Sequence, residues 1–154
     1  MATLKTGSKA PAFSGTDQHG NKVSLKDFSG KKLVLYFYPK DMTPGCTAEA
    51  CNLRDHFDEL QKKGYAVLGV SPDSAESHQK FIGKYSLPFP LLADTDQKIC
   101  AKYEAWGEKS MYGKKYMGVL RKTFVIGPDA KILHIIEKVK TDDHANQIFA
   151  LESE

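Results

Sequence analysis

Two rhythms of apolar and polar positions run through this chain, and the switches between them mark its elements. Residues 31–39, KKLVLYFYP, hold an unbroken apolar run, the pattern of a strand covered on both faces. In residues 47–64, TAEACNLRDHFDELQKKG, the apolar positions Ala50, Leu53, Phe57 and Leu60 step by three and four. That spacing predicts a helix, with Gly64 as its stop. Residues 65–71, YAVLGVS, read as a second buried strand. Residues 74–86, SAESHQKFIGKYS, read as a second helix whose end Gly83 weakens. Strand, helix, strand, helix in this order predicts a right-handed βαβ arrangement on a parallel sheet.

After LPFPLL the pattern predicts a shorter helix, DQKICAKYEAW, with Ile99, Tyr103 and Trp106 on one face. Residues 107–122 show little periodicity and read as a loop, long enough to suggest a functional one. Residues 123–139 form two β-rich runs around Gly-Pro-Asp-Ala, a hairpin, and residues 142–152 predict a closing helix. Near the beginning, SGTDQHGNKVSL reads as a small hairpin turning at His19-Gly20-Asn21. No repeat, low-complexity tract or linker interrupts the chain, so one α/β domain over residues 1–154 is expected.

Composition narrows the class. With 41% hydrophobic and 27% charged residues, the chain belongs among ordinary globular proteins. No apolar run is long enough to cross a bilayer, and the first residues lack the apolar segment of a secretory signal. Three cysteines, an odd number, do not make a disulfide scaffold. A cytoplasmic setting is expected, where paired thiols are more often catalytic or metal-binding than structural. The net charge of +3 is mild. Its densest basic stretch interleaves Lys109, Lys114, Lys115, Arg121 and Lys122 with Tyr112 and Tyr116. Such a stretch could stack on single-stranded nucleic acid, but charge is balanced elsewhere and no nucleic-acid motif accompanies it. A solvated loop is the better reading, with no nucleic-acid or membrane partner.

The candidate chemistry lies in residues 41–51, DMTPGCTAEAC, which hold Cys46 and Cys51. Extending the stripe of Ala50, Leu53 and Phe57 backwards lands on Cys46, so packing alone could explain it. Its position points further. Cys46 opens a helix directly after a buried strand, at the functional edge of a parallel sheet. Unpaired backbone N–H groups and the helix dipole favour an anion there, and the thiolate is the reactive form of cysteine. A zinc site with His56 as third ligand fails, because positions 46, 51 and 56 each turn about 140° from the last. The spacing is also not the C-x-x-C of a thioredoxin-type dithiol. Cys51 lies off the core stripe, beside Asn52 and Arg54, and should be partly accessible. Such a pair suggests a sulfenic acid at Cys46 captured by Cys51. If residues 46–51 stay helical, their Cα atoms lie roughly 8.5 Å apart, beyond the ~7 Å limit for a disulfide. Closing the bond then requires the first turn or more of the helix to unwind.

The segment YPKDMTPGCTAEAC resembles the active-site segment of the peroxiredoxins: a proline, three residues, threonine or serine, two residues, then cysteine. Pro39, Thr43 and Cys46 match it. A second cysteine after four more residues is similar to the bacterioferritin comigratory protein, or peroxiredoxin Q, branch. WGEKSMYGKKYMGVLRKTFVI also resembles that branch, in which an arginine shortly before the Thr-Phe strand completes the site; here it is Arg121. The resemblance implies a thioredoxin-like fold, a central mixed β-sheet flanked by helices with an N-terminal β-hairpin. It implies a monomeric thiol peroxidase for hydrogen peroxide and organic hydroperoxides, regenerated by thioredoxin or a similar dithiol. Cys46 would attack and Cys51 resolve, and no cofactor or metal is called for because sulfur carries the electrons.

In that scheme Thr43 offers its hydroxyl to the thiolate and the peroxide, and Arg121 brings a permanent charge and a fork of donors. Both would stabilise charge on the leaving oxygen. Pro39 and Pro44 would restrict the backbone and shield the sulfur. Taken alone, Thr43 reads as a helix cap and Arg121 as a solvated edge charge. Cys100 is expected to be a half-buried packing residue, and Glu49 either a local hydrogen-bond partner or a surface carboxylate. Histidines 19, 56, 78, 134 and 144 suggest no ligand set. Two other functions compete: a thiol–disulfide oxidoreductase and a redox-sensing interaction module. The spacing counts against the first, as do Arg121-Lys122 before TFVI, where thioredoxin relatives carry a proline.

Overall fold

The computed structural model describes residues 4–151. It opens with a small antiparallel hairpin, β1 (Ser14–Thr16) and β2 (Lys22–Ser24), followed by a 3-10 turn at Leu25–Phe28. Next come β3 (Lys32–Phe37), α1 (Pro44–Asp55), α2 (Phe57–Lys62), β4 (Tyr65–Ser71), α3 (Ala75–Tyr85), β5 (Leu91–Ala93) and α4 (Lys98–Lys102). A second hairpin, β6 (Trp106–Met111) and β7 (Lys114–Val119), precedes β8 (Lys122–Ile126), β9 (Ile132–Ile136) and α5 (His144–Leu151). The main sheet runs β5-β4-β3-β8-β9. β3, β4 and β5 are parallel, whereas β8 is antiparallel to both β3 and β9, so the sheet is mixed.

β3 takes the centre because it has two apolar faces to cover. Leu33, Leu35 and Phe37 pack with Tyr103, Phe124 and Ile126 in one buried cluster. The alternate residues Val34, Tyr36 and Tyr38 pack with Cys46, Ala50, Leu53, Phe81 and Ile148 in the other. Period-two alternation sends these sets to opposite faces of the sheet. The α1, α3 and α5 helices therefore cover one face, and α4 the other. Phe37, at the end of β3, pairs with Val70 of β4 and with Lys122, the first residue of β8. That edge brings the start of α1 to the residue just before β8.

Three expectations need correction. The helix expected over 47–64 begins earlier, at Pro44, and breaks at His56 into α1 and α2. His56 leaves helical geometry (φ −110°, ψ 12°) and its Nδ1 pairs with the Asn52 carbonyl oxygen at 2.9 Å. The stripe survives the break because Leu53 and Leu60 remain fully buried. The helix expected over 74–86 forms as α3, which runs through Gly83 to Tyr85 and stops at Ser86 in left-handed geometry (φ 52°). The helix expected to reach Trp106 ends at Lys102, and the expected loop beyond it is a hairpin turning at Tyr112 (φ 52°) and Gly113 (φ 81°). The closing helix forms as expected, although Glu152 lies outside the described residues. No helix among the described residues is long and apolar enough to cross a membrane.

Candidate active site

Thr43 is the residue before the first turn of α1, with extended backbone (φ −80°, ψ 154°), and Pro44 follows as the first helical residue. Proline suits that position, where its missing N–H costs nothing and its fixed φ is already helical. Cys46 sits in this first turn, 2% exposed. Arg121, immediately before β8, reaches across the sheet edge and donates from Nη2 to Cys46 Sγ at 3.2 Å. The expected meeting of Cys46 and Arg121 is therefore observed, at a helix N-terminus where backbone dipoles also favour negative charge.

The other arm of the Arg121 fork donates from Nη1 to Glu49 Oε1 at 2.6 Å. Glu49 is fully buried, not a surface carboxylate. Its Oε2 is buried without a hydrogen-bond partner among the described residues. His144 Nε2 lies 3.6 Å away but is engaged with Thr123 Oγ1 at 2.8 Å. The Gln147 amide is oriented by donating to Lys138 O and accepting from Lys140 N, so its Oε1 also accepts from His144 Nδ1. His144 Nε2 is then left to accept the Thr123 hydroxyl, and the ring is neutral. Its pKa is lowered chiefly by burial, although the Gln147 contact opposes this.

Burial pushes the Glu49 carboxyl up to about 7, against the opposing pull of Arg121. This has a consequence for stability. A carboxyl whose folded pKa exceeds its unfolded value binds more protons when folded, so its stabilisation is lost as pH rises through that interval. Between the ordinary carboxyl value of 4.5 and about 7, the wild type should therefore lose stability relative to Glu49→Gln. Urea unfolding of both proteins at pH 5 and pH 8 measures it. The two should be similar at pH 5, with the variant ahead by a few kcal/mol (~3) at pH 8.

Thr43 differs from expectation. Its hydroxyl donates to the Lys40 carbonyl at 2.8 Å and makes neither a cap bond nor a hydrogen bond to Cys46. Pro39 is half-buried two residues beyond β3, whereas Pro44 is exposed and starts the helix instead of shielding the sulfur. Cys51 is half-buried on the same unbroken helix, and both thiols are free. Two neighbours tie the following turn down. Asn52 accepts from Ala145 N at 2.7 Å and donates to Asp142 O at 3.1 Å, which caps α5, and Arg54 donates to Tyr85 O at 2.8 Å. Cys100 is fully buried, more than expected, and burial drives its thiol pKa well up. It is a packing residue.

Sequence reasoning missed the buried roles of Glu49 and His144. A carboxylate in a polar-looking helix carries no local sign that an arginine far along the chain will bury it. His78 had a usable signal, because it shares the α3 stripe with Phe81, Ile82 and Tyr85.

The AhpC/TSA family model matches residues 6–135, most of the chain. This chain belongs to the AhpC/TSA family. It is 49% identical to Peroxiredoxin Bcp of Escherichia coli (strain K12) over 144 residues, 94% of this chain and 92% of that one. Among solved structures, a PrxQ mutant from Xylella fastidiosa superposes with a TM-score of 0.90 at 31% identity, covering 100% of both chains. The bacterioferritin comigratory protein of Xanthomonas campestris, solved in a study of its alkyl peroxide reduction activity, gives 0.86 at 35% identity. It covers 99% of this chain and 98% of that one. The fold is accordingly thioredoxin-like, and this AhpC/TSA member is a peroxiredoxin: a thiol-dependent peroxidase and an oxidoreductase.

Proposed function

We propose that Cys46 is the peroxidatic thiol of this peroxiredoxin and Cys51 its intrachain resolving partner, with Thr43, Arg121 and Pro39 shaping the peroxide site. The observation that carries this reading is the Arg121 guanidinium donating to Cys46 Sγ at 3.2 Å at the start of α1. The Cys46 thiolate attacks the nearer oxygen of the hydroperoxide and the O–O bond breaks. The electron pair leaves on the far oxygen, which takes a proton to become water or an alcohol. Sulfur is oxidised by two electrons to a sulfenic acid. Arg121 stabilises the charge as it moves, first on sulfur and then on the leaving oxygen. With its proton committed to Lys40 O, the Thr43 hydroxyl oxygen serves as acceptor for the hydroperoxide O–H. Alkyl hydroperoxides, as for the Xanthomonas protein, and hydrogen peroxide are the substrates.

Cys51 then attacks the sulfenic acid, expelling water and leaving a Cys46–Cys51 disulfide, which thioredoxin or a similar dithiol reduces. Both thiols lie on one chain, so a monomeric, single-domain enzyme is sufficient, working in the reducing cytoplasm. Because α1 spans both cysteines, the bond requires the helix to unwind, and Asn52 and Arg54 confine that change to the residues before them. One equivalent of peroxide added to reduced protein tests the scheme. Peptide mapping should find the Cys46–Cys51 bond, and hydrogen exchange should find lost protection across residues 44–51. An intermolecular disulfide, or the intrachain bond with unchanged protection, would contradict it.

A further inference from the structure

We infer that Asp41 is a positioning residue for peroxide attack, locking the segment that carries Pro39 and Thr43 onto β4 and α3. The inference rests on the proposed roles of Cys46 and Thr43 and adds a residue to them. Asp41 is 4% exposed, and both of its carboxylate oxygens are hydrogen-bonded. Oδ1 accepts from Tyr38 Oη at 2.6 Å, and Oδ2 accepts from Ser77 Oγ at 2.7 Å and meets His78 Nδ1 at 2.7 Å. His78 is fully buried, and its Nε2 donates to the Leu92 carbonyl at 2.8 Å. Both ring nitrogens thus face oxygen atoms. The Asp41 backbone N–H donates to Asp73 Oδ2 at 2.8 Å, an oxygen that Ser71 Oγ also bonds at 2.7 Å. Asp41, Asp73 and His78 place possible ligand atoms within 4.8 Å of one another, but these bonds account for their grouping.

The anchor is needed at this point in the chain. Met42, the next residue, has left-handed backbone (φ 67°), a conformation uncommon outside glycine, asparagine and aspartate. Bonds on its upstream side hold that corner, and Thr43, whose hydroxyl closes back on Lys40 O, follows directly. Cys46 lies one turn further on. Loss of the Asp41 side chain frees the corner, and Thr43 and the start of α1 drift from the Arg121 fork. Misplacement of about 1 Å is enough to lower a rate roughly a hundredfold.

The test is rapid-quench measurement of Cys46 oxidation by hydrogen peroxide, with reduction of the preformed disulfide by dithiothreitol as a parallel readout. Asp41→Ala should slow oxidation by tenfold to a hundredfold (~10–100) and leave disulfide reduction unchanged. Asp41→Asn should recover most of the rate. Its oxygen can accept from Tyr38, and its amide can donate to Ser77 Oγ and to His78 Nδ1 while Nε2 keeps Leu92. Tyr38→Phe, which removes one bond from a buried ring, should slow oxidation severalfold and serves if the alanine variant does not fold. Thr43→Val should add little further loss in the Asp41→Ala background, because position 41 acts through Thr43. Wild-type oxidation rates in both Asp41→Ala and Tyr38→Phe, or a loss in Asp41→Asn equal to that in Asp41→Ala, would overturn the inference. Absence of Cys46 oxidation in the wild type would instead overturn the reading on which it rests.

Discussion

Peroxide turnover should fall at least about a thousandfold in the Cys46→Ser protein, while Cys100→Ser keeps it nearly intact. The sulfur of Cys46 accepts a hydrogen bond from a cation, Arg121 Nη2 at 3.2 Å, and the residue lies in the first turn of α1. A serine hydroxyl there cannot donate two electrons to a peroxide and take up its oxygen atom at any useful rate. Cys100 lies on the buried face of α4, with its backbone N–H held by the Asp94 carboxylate at 2.8 Å and its thiol kept protonated by burial. Its loss leaves a small packing defect far from the chemistry. Consumption of peroxide coupled to thioredoxin and its reductase measures both variants. Full turnover in Cys46→Ser would overturn the assignment of Cys46 as the peroxidatic thiol.

Arg121→Gln should slow Cys46 oxidation by about a hundredfold to a thousandfold, the usual loss when a donor to developing negative charge is removed. Its second effect must be separated from the first. Arg121 is the hydrogen-bond partner of Glu49, whose other oxygen has none, so the single variant leaves a fully buried carboxyl unpaired. Stability will fall along with the rate. The double variant Arg121→Gln with Glu49→Gln removes the buried charge and should recover stability without recovering the rate. If the double variant recovers both, Arg121 serves only to pair Glu49. Stopped-flow oxidation and urea unfolding of the three proteins distinguish these outcomes.

The sheet was legible where both of its faces are covered. β3 and β4 appear in the sequence as unbroken apolar runs because each residue meets a packed layer, and β4 was bounded to the residue. The β6–β7 hairpin was illegible for the opposite reason. Residues Lys114–Met117 are exposed on both faces, so no alternation of apolar and polar side chains survives to betray a strand. The break at His56 was hidden because one non-helical residue leaves Leu53 and Leu60 on the same stripe. In the site, Cys46 was readable from position alone, at a helix start after a buried strand. Arg121 was not, since nothing local distinguishes it from the neighbouring lysines, and only the family motif selected it. The hydroxyl of Thr43 is expected to serve the sulfur and the peroxide, but the carbonyl of Lys40 lies in the same tight turn and takes its proton. Glu49, Asp41 and His78 depend on partners tens of residues away, which local patterns do not encode.

Trapping the first product tests the central claim most directly. In Cys51→Ser the resolving step is blocked, so the sulfenic acid formed by one equivalent of hydrogen peroxide persists for capture by a dione reagent. Mass spectrometry should then place one adduct on Cys46 in nearly every molecule and none on Cys100. An adduct at Cys100, or no adduct while peroxide is still consumed, would contradict the account.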